Sequence, residues 1–480
     1  MGGISIRSDQ RSGNGGVGME TYLEKLLSQI RCKKARPYIA EEIRGHIENQ
    51  IEDNLSQGMT YEEAEKNAVT DMGDPVEVGI SLDRIHKPKI AWKLLVIVGI
   101  LSLLGILLQQ SILSQPGYLD LEQQMQARYR YAVEGFGLAV AVGFLLMCVI
   151  YFLDYTVIAK YSRFIGGAIL ILGGLHVAGL GGFDYVDGIG NWIGFGRLRV
   201  AVTALMMFYV PIYGAILYKY RDGGAFALCR AILWLILPVF ITARIPSLGV
   251  AIIMLVSMLI ELTVAVRKGW FKLPVKKTII GVWLFFTVVP VLLLAVMYTF
   301  HMLEVYQEAR IRSYLTSSGD ANYMTAMLHK FNENILLWGN SGKDVVGGLP
   351  EFNQDYIFSY ILNSYGVIAG IFVAALLAAL VVFMFGTSVR QKNELGMVMG
   401  FGCGMIILLN ISLNFAGIFG WIPLTSTFLP FLSFGRNNIL LCYALVGIIL
   451  SIYRYKDVYP KKLKASKVSL QKTITLNLNV

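Results

Sequence analysis

From Ala91 onward the sequence keeps returning to one pattern, an uncharged apolar run long enough to cross a bilayer, about 20 residues, closed by a short polar loop. A chain of this kind cannot fold around a single water-excluded core. In lipid each backbone N–H and C=O must find its partner inside the protein, so the runs have to be helices. Ten of them can be read, at 91–109, 131–153, 164–182, 198–218, 226–245, 248–266, 278–302, 356–386, 395–419 and 438–454. Apolar residues make up 55% of the chain and charged residues 15%, against about a quarter charged in a soluble domain. The expected class is an all-α polytopic membrane protein with about ten transmembrane helices.

The net charge of +10 invites a nucleic-acid reading, but its distribution opposes one. Lys160 and Arg163 follow the second run, Lys219 and Arg221 the fourth, RKGWFKLPVKK the sixth, Arg390 and Lys392 the eighth, and a basic tail the last. Such loops mark the cytoplasmic face. An even number of spans then places both termini in the cytoplasm. The opposite loops, including the long one from about Met302 to Asp355, lie outside. The five cysteines are scattered without a CxxC pair, which implies neither a disulfide framework nor a zinc site.

Ahead of the spans lies a charged helical unit, expected at 19–89 as a cytoplasmic domain, with 1–18 read as disordered. Leu23, Leu26, Leu27 and Ile30 share one face, and Ile43, Ile47, Ile51 and Leu55 form a second stripe. Thr60 and Glu63 have capping-box spacing; Gly73 can end that helix and Asp74-Pro75 can open the next. The membrane domain is expected over 90–455 and a basic cytoplasmic tail over 456–480.

Few residues in the spans carry chemistry. Asp355, in LPEFNQDYIF, stands where an apolar run begins, and acids at membrane edges are costly enough to be functional by default. The bland alternative is a helix-start acid favourable to the dipole, worth about 0.3–1 kcal/mol. In GIGNWIGFGRLR, Trp192 suits an interfacial belt, while Arg197 and Arg199 suit either snorkelling or an anionic headgroup. The turn ARIPSLG reads as structural. The stretch NFAGIFGWIPLTSTFLPFLSFGRNN, rich in Pro and Gly between two spans, predicts a re-entrant or broken helix. Arg230 and Glu261 are expected to snorkel from the cytoplasmic ends of their spans.

Taken in order, these stretches resemble the SEDS family (shape, elongation, division and sporulation), the RodA, FtsW and SpoVE type of peptidoglycan polymerase. LPEFNQDYIFSYILNSYGVIAG is similar to the family's LPE-x-x-TDFIFA segment and the EE-x-G-x-x-G that follows it. IPLTSTFLPFLSFG is similar to its PvTG-x-x-LPFiSYG, GNWIGFG to its RW-x-x-lG, and ARIPSLGVA to its QPDLGTA. The resemblance implies a glycosyltransferase that polymerises lipid II, an undecaprenyl-linked disaccharide-peptide, at the outer membrane face. It makes Asp355 the essential acid, acting as general base or holding a divalent cation, Mg or Mn, near the pyrophosphate. It makes Trp192 functional, and Trp192 and Ser433 are substrate-binding candidates; Arg197, Arg199 and Arg436 join them for the pyrophosphate, because guanidinium matches phosphate oxygens in a bidentate way. The implied partners are membrane lipids and a class B penicillin-binding transpeptidase, with no nucleic acid.

The departures are as specific as the matches. Asn363 and Ser364 stand where the family has paired glutamates, and its QPSE-x-x-K reads VPIYGAI, keeping only Pro211. Ser247 replaces the aspartate of QPDLG, and Arg436, Asn437 and Asn438 replace GSS. Two other functions therefore stay open: a non-catalytic scaffold that recruits a transpeptidase, and a lipid-linked precursor flippase or transporter. The N-terminal unit resembles the small cytoplasmic domain found ahead of some Gram-positive permeases.

Overall fold

The computed structural model describes residues 18–179, 183–186, 189–195, 198–245, 248–300, 320–422 and 425–461. The expected disorder of 1–18, apart from Gly18, the role of Arg197, the middle of the ARIPSLG turn, the first half of the long loop and most of the basic tail lie outside them. The described chain divides into two compact units, one formed by residues 18–89 with 455–461, the other by Ile90 to Arg454.

The first unit has four helices, α1 (Met19–Ser28), α2 (Arg36–Ser56), α3 (Tyr61–Asp71) and α4 (Pro75–His86). Leu23, Leu26 and Ile30 are buried beneath Ile39, Ile43, Ile47 and Ile51, while Leu55 is left exposed. The Thr60–Glu63 capping box opens α3, and Asp74 caps α4 with Pro75 in its first turn. Asp83 ties α4 to the end of α1, accepting from the Arg31 backbone N–H at 2.9 Å and its Nε at 2.8 Å. Burial pushes its carboxyl up, but the hydrogen bonds and charge of Arg31 outweigh that and hold it below its usual range. The segment that follows the last membrane helix belongs to this unit as well. Asp457 accepts from Lys89 Nζ at 2.7 Å, Lys34 lies over the Tyr455 ring, and Tyr38 meets Tyr459 edge to face.

The second unit runs α5 (Trp92–Ile112), α6 (Pro116–Leu119), α7 (Gln123–Leu153), α8 (Tyr155–Lys160) and α9 (Ser162–Val177). Strands β1 (Phe183–Val186), β2 (Ile189–Phe195) and β3 (Leu198–Ala201) come next, then α10 (Val202–Tyr218), α11 (Ala225–Arg244), α12 (Leu248–Arg267) and α13 (Val275–Thr299). The remainder is α14 (Asp320–Asn332), α15 (Val345–Gly348), α16 (Ile357–Tyr365), α17 (Val367–Val389), α18 (Glu394–Ile418) and α19 (Arg436–Arg454). Among the described residues eight helices are long and apolar enough to cross a membrane, and α9 and α10 are shorter apolar helices. Together they answer to the ten expected runs.

Four local expectations give way. The run at 198–218 begins as β3, which pairs antiparallel with β2 in a three-stranded sheet. The run at 356–386 is two helices, because Gly366 turns at φ +89°, a conformation that favours glycine. The free N–H groups at the start of α17 are taken up by a distant segment: Val367 N donates to Leu336 O and Ile368 N to Leu337 O. Between α18 and α19 the described chain is irregular rather than a broken helix. Glu261 does not snorkel: it is fully buried, because its side chain points between helices rather than along its own helix to water.

Small residues set the close contacts, as they do where lipid removes the hydrophobic driving force between helices. The most extensive pair is α7 with α19. A Cβ at Gly143 would stand 2.2 Å from the Tyr443 ring, and one at Gly447 3.0 Å from Ile150.

Candidate functional site

The site is built on the turn Glu351–Tyr356, just before α16. Glu351 adopts φ +52°, and its carbonyl accepts from Gln354 N at 2.9 Å and Tyr356 N at 3.3 Å. Phe352 anchors the turn from below, fully buried between the rings of Tyr129 and Tyr360.

The next three carbonyls are each held by a residue from elsewhere in the chain. Asn353 O accepts from Gln109 Nε2 on α5 at 3.0 Å and from Phe434 N at 2.7 Å. Gln354 O accepts from Ser433 Oγ at 2.7 Å, while Ser433 accepts from Leu429 N at 2.9 Å. Asp355 O accepts from Asn414 Nδ2 on α18 at 2.7 Å. Asn414 and Gln109 also bind the facing irregular strand, through Thr427 O at 3.2 Å and Leu432 O at 3.1 Å. Two stretches without regular structure are thereby riveted together, which satisfies backbone groups that water would otherwise have to serve. The same strand presses on α5 so closely that a Cβ at Gly105 would lie 2.0 Å from Phe431 O.

On this scaffold the Asp355 carboxyl is half-buried. Burial pushes its pKa up to about 7, the charge of Glu351 adds to the rise, and a hydrogen bond from Ser426 partly offsets it. The side chain makes no helix cap, since the N-cap of α16 is Tyr356 and no side chain caps it. The place of Asp355 just ahead of that N-cap still gives it the favour of the helix dipole, about 0.3–1 kcal/mol, which is small beside the burial that raises its pKa. An acid poised near neutrality beside a second carboxylate can exchange a proton with a bound hydroxyl at working pH.

The other candidates divide into two groups. Ser433 belongs to the Asp355 turn, but as a clamp on its main chain. Trp192 is half-buried on β2, paired with Asp184 and Ala201. Arg199 on β3 and Arg436 at the start of α19 are exposed and joined through Asn437, which donates to Arg199 O at 3.5 Å. Arg436 stacks on Tyr131 with 4.8 Å to the ring centroid, a cation–π contact that orients the guanidinium.

Sequence reasoning missed Glu351, Ser426, Gln109 and Asn414. Glu351 lay in the quoted LPE motif and needed only its proximity to Asp355. Asn414 and Gln109 are amides inside apolar runs, which is itself a signal, since a buried amide must find partners. Where the family carries paired glutamates, the buried Asn363 accepts from Ser341 Oγ at 2.9 Å and donates to Ser359 O at 2.9 Å. That position does local structural work.

The family model described as cell cycle protein, of the FtsW, RodA and SpoVE type, matches residues 91–458. A protein of Enterococcus hirae named probable peptidoglycan glycosyltransferase FtsW is 35% identical over 133 residues, 28% of this chain and 33% of that protein. The match thus spans about a third of that relative's length. The peptidoglycan glycosyltransferase MrdB of Escherichia coli K12 is 23% identical over 286 residues, 57% of this chain and 73% of its own. Among solved structures, a chain from work on coordination of polymerization and crosslinking by a peptidoglycan synthase complex superposes with TM-score 0.60 at 18% identity. It covers 77% of this chain and 98% of its own. The rod shape determining protein RodA of Thermus thermophilus gives TM-score 0.53 at 16% identity, covering 76% and 97%. These likenesses establish the fold, and with the apolar helices they make this a multi-pass membrane protein.

Proposed function

This chain belongs to the FtsW, RodA and SpoVE family of cell cycle proteins, and from that premise we propose that it is a peptidoglycan glycosyltransferase with Asp355 as its general base. The observation that carries the reading is the poised carboxyl, at about 7, on a main chain clamped by Asn414 and Ser433. The acceptor sugar hydroxyl attacks the anomeric carbon of the lipid-linked donor and gives its proton to Asp355. The glycosidic bond forms as the bond to the pyrophosphate breaks, and the pyrophosphate leaves on its lipid. Clamping the turn holds the base in place without reorganisation during the reaction.

An apolar cavity of about 380 Å³ beside α16, lined by Leu104, Leu107, Leu108, Ile361, Phe372 and Val373, offers a lodging for the polyprenyl tail. Arg199 and Arg436 suit the pyrophosphate, since guanidinium pairs with phosphate oxygens in a bidentate way. Among the described residues no group of three or more His, Cys, Asp or Glu is assembled for a metal. A magnesium-type ion takes one or two carboxylates and completes its shell with phosphate and water, and Glu351 with Asp355 fits that set. Such an ion would neutralise charge on the pyrophosphate. The basic loops favour cytoplasmic termini and an outward-facing Asp355. The crosslinking named for the structural neighbour favours a transpeptidase partner.

A second reading, a non-catalytic scaffold, is favoured by the conversion of the paired glutamates into Asn363 and Ser364. The deciding experiment is polymerisation of lipid II by purified protein, wild type against Asp355→Asn. Polymer from the first and none from the second is expected; no polymer from folded wild type, with and without divalent cation and a transpeptidase, would select the scaffold.

A further inference from the structure

Glu261 has no place in the chemistry just described, and its surroundings are unusual for an acid. It lies six residues before the end of α12, about 9 Å along the axis, with none of its surface exposed. Among the described residues neither carboxyl oxygen has a hydrogen-bond partner. Room for the carboxyl is made by two glycines on neighbouring helices. A Cβ at Gly214 of α10 would stand 2.7 Å from Oε1, and one at Gly402 of α18 only 2.0 Å from it. Val210 and Val398 wall the same space.

The titratable neighbours are Tyr209 and Tyr213 of α10 and Cys403 of α18. The tyrosine hydroxyls already donate elsewhere, to Trp234 O at 2.9 Å and Ala231 O at 3.2 Å. No cationic side chain among the described residues forms an ion pair with Glu261. An unpaired carboxylate in such a place costs far more than taking up a proton.

Further unsatisfied polar atoms lie on α12 and on the facing helix α18. One turn back from Glu261 on α12, Ser257 Oγ is buried without a partner among the described residues, and so are Asn410 Oδ1 and Asn414 Oδ1 on α18. Gly402, Ile406, Asn410 and Asn414 are spaced four apart, a line winding slowly along α18 over about 18 Å. It ends at Asn414, whose amide holds the Asp355 main chain. We infer that Glu261 is a proton-binding acid inside the helix bundle, and that its proton exchanges along this polar seam between α10, α12 and α18 toward the Asp355 turn.

The test is infrared spectroscopy of the full chain in lipid. Wild type is expected to show the carbonyl band of a protonated carboxylic acid that Glu261→Gln lacks, and the band should shift in D₂O. Asn410→Leu, which interrupts the seam, should slow that shift by about tenfold, equivalent to roughly 1.4 kcal/mol on the barrier. If Glu261→Gln fails to fold, labelling of wild type with dicyclohexylcarbodiimide, located by mass spectrometry, replaces it, and a Glu261 adduct supports the site. The inference falls if the band is missing, if it does not shift in D₂O, if Asn410→Leu leaves the rate unchanged, or if sodium blocks the labelling, which would make this a metal-cation site.

Discussion

Asp355 and Glu261 are both acids withdrawn from water in the same membrane unit, and they are held in opposite ways. Around Asp355 the polar groups are served: three successive carbonyls have donors from other parts of the chain, and the carboxyl itself has Ser426. Around Glu261 stand two glycines and two valines, with Tyr209, Tyr213 and Cys403 nearby, and among the described residues no hydrogen-bond partner. The contrast teaches how a membrane protein separates two uses of a carboxyl group. A reacting carboxylate needs a rigid mount and a titration near working pH. A proton-carrying acid needs only space, dryness and a way in.

That contrast is open to experiment, beginning with the largest effect. Asp355→Asn keeps the shape of the side chain and removes the base, so polymer formation should fall by about 100- to 10,000-fold, read as initial rate on lipid II. Glu261→Gln should leave that rate within a small factor at neutral pH; a comparable loss would erase the distinction.

Asn414→Ala strips the donor from Asp355 O and Thr427 O. Each buried acceptor left unmade costs about 1–3 kcal/mol, so the midpoint of thermal unfolding in detergent should drop and the rate should fall by about tenfold. Gly402→Ala drives a methyl into the Glu261 carboxyl, and overpacking of this kind costs about 1–3 kcal/mol. Gly99→Ala is the control, since a Cβ there meets nothing within 4 Å. It should leave the melting temperature unchanged or slightly raised.

The smallest effect is the shape of the pH profile. A base works as carboxylate, and Asp355 holds its proton below about pH 7, so the rate should climb with pH up to that point and then level. Glu351→Gln removes a repelling charge and should move the climb to lower pH. Burial is the larger cause of the elevation, so most of it should persist. A profile unmoved by Glu351→Gln would detach that residue from the site.

Much of the architecture is legible in the sequence, because the bilayer acts on composition. A run of apolar residues has one stable form in lipid, and among the described residues eight of the ten runs hold a helix long enough to cross, the other two a shorter apolar helix. Local chemistry was legible because its bonds are short in sequence: Thr60 with Glu63, and Asp74 with Glu77 behind Pro75, start helices through bonds three residues long. Asp355 stood out because a charge at a membrane edge has few excuses.

What the chain alone determined, then, is whatever depends on neighbours in sequence: the class, the spans, the caps and the one conspicuous acid. Tertiary structure decided whatever depends on partners far along the chain. Gly366 breaks the eighth run because Leu336 and Leu337 supply carbonyls to the new helix start. Gln109 reaches Leu432 across 323 positions and Asn414 reaches Asp355 across 59. Glu261 carries the same sequence signal as a snorkelling residue near a helix end. Only the facing glycines of α10 and α18 turn it into a buried acid, because a side chain's environment is set by the helices packed against it and not by its position along its own.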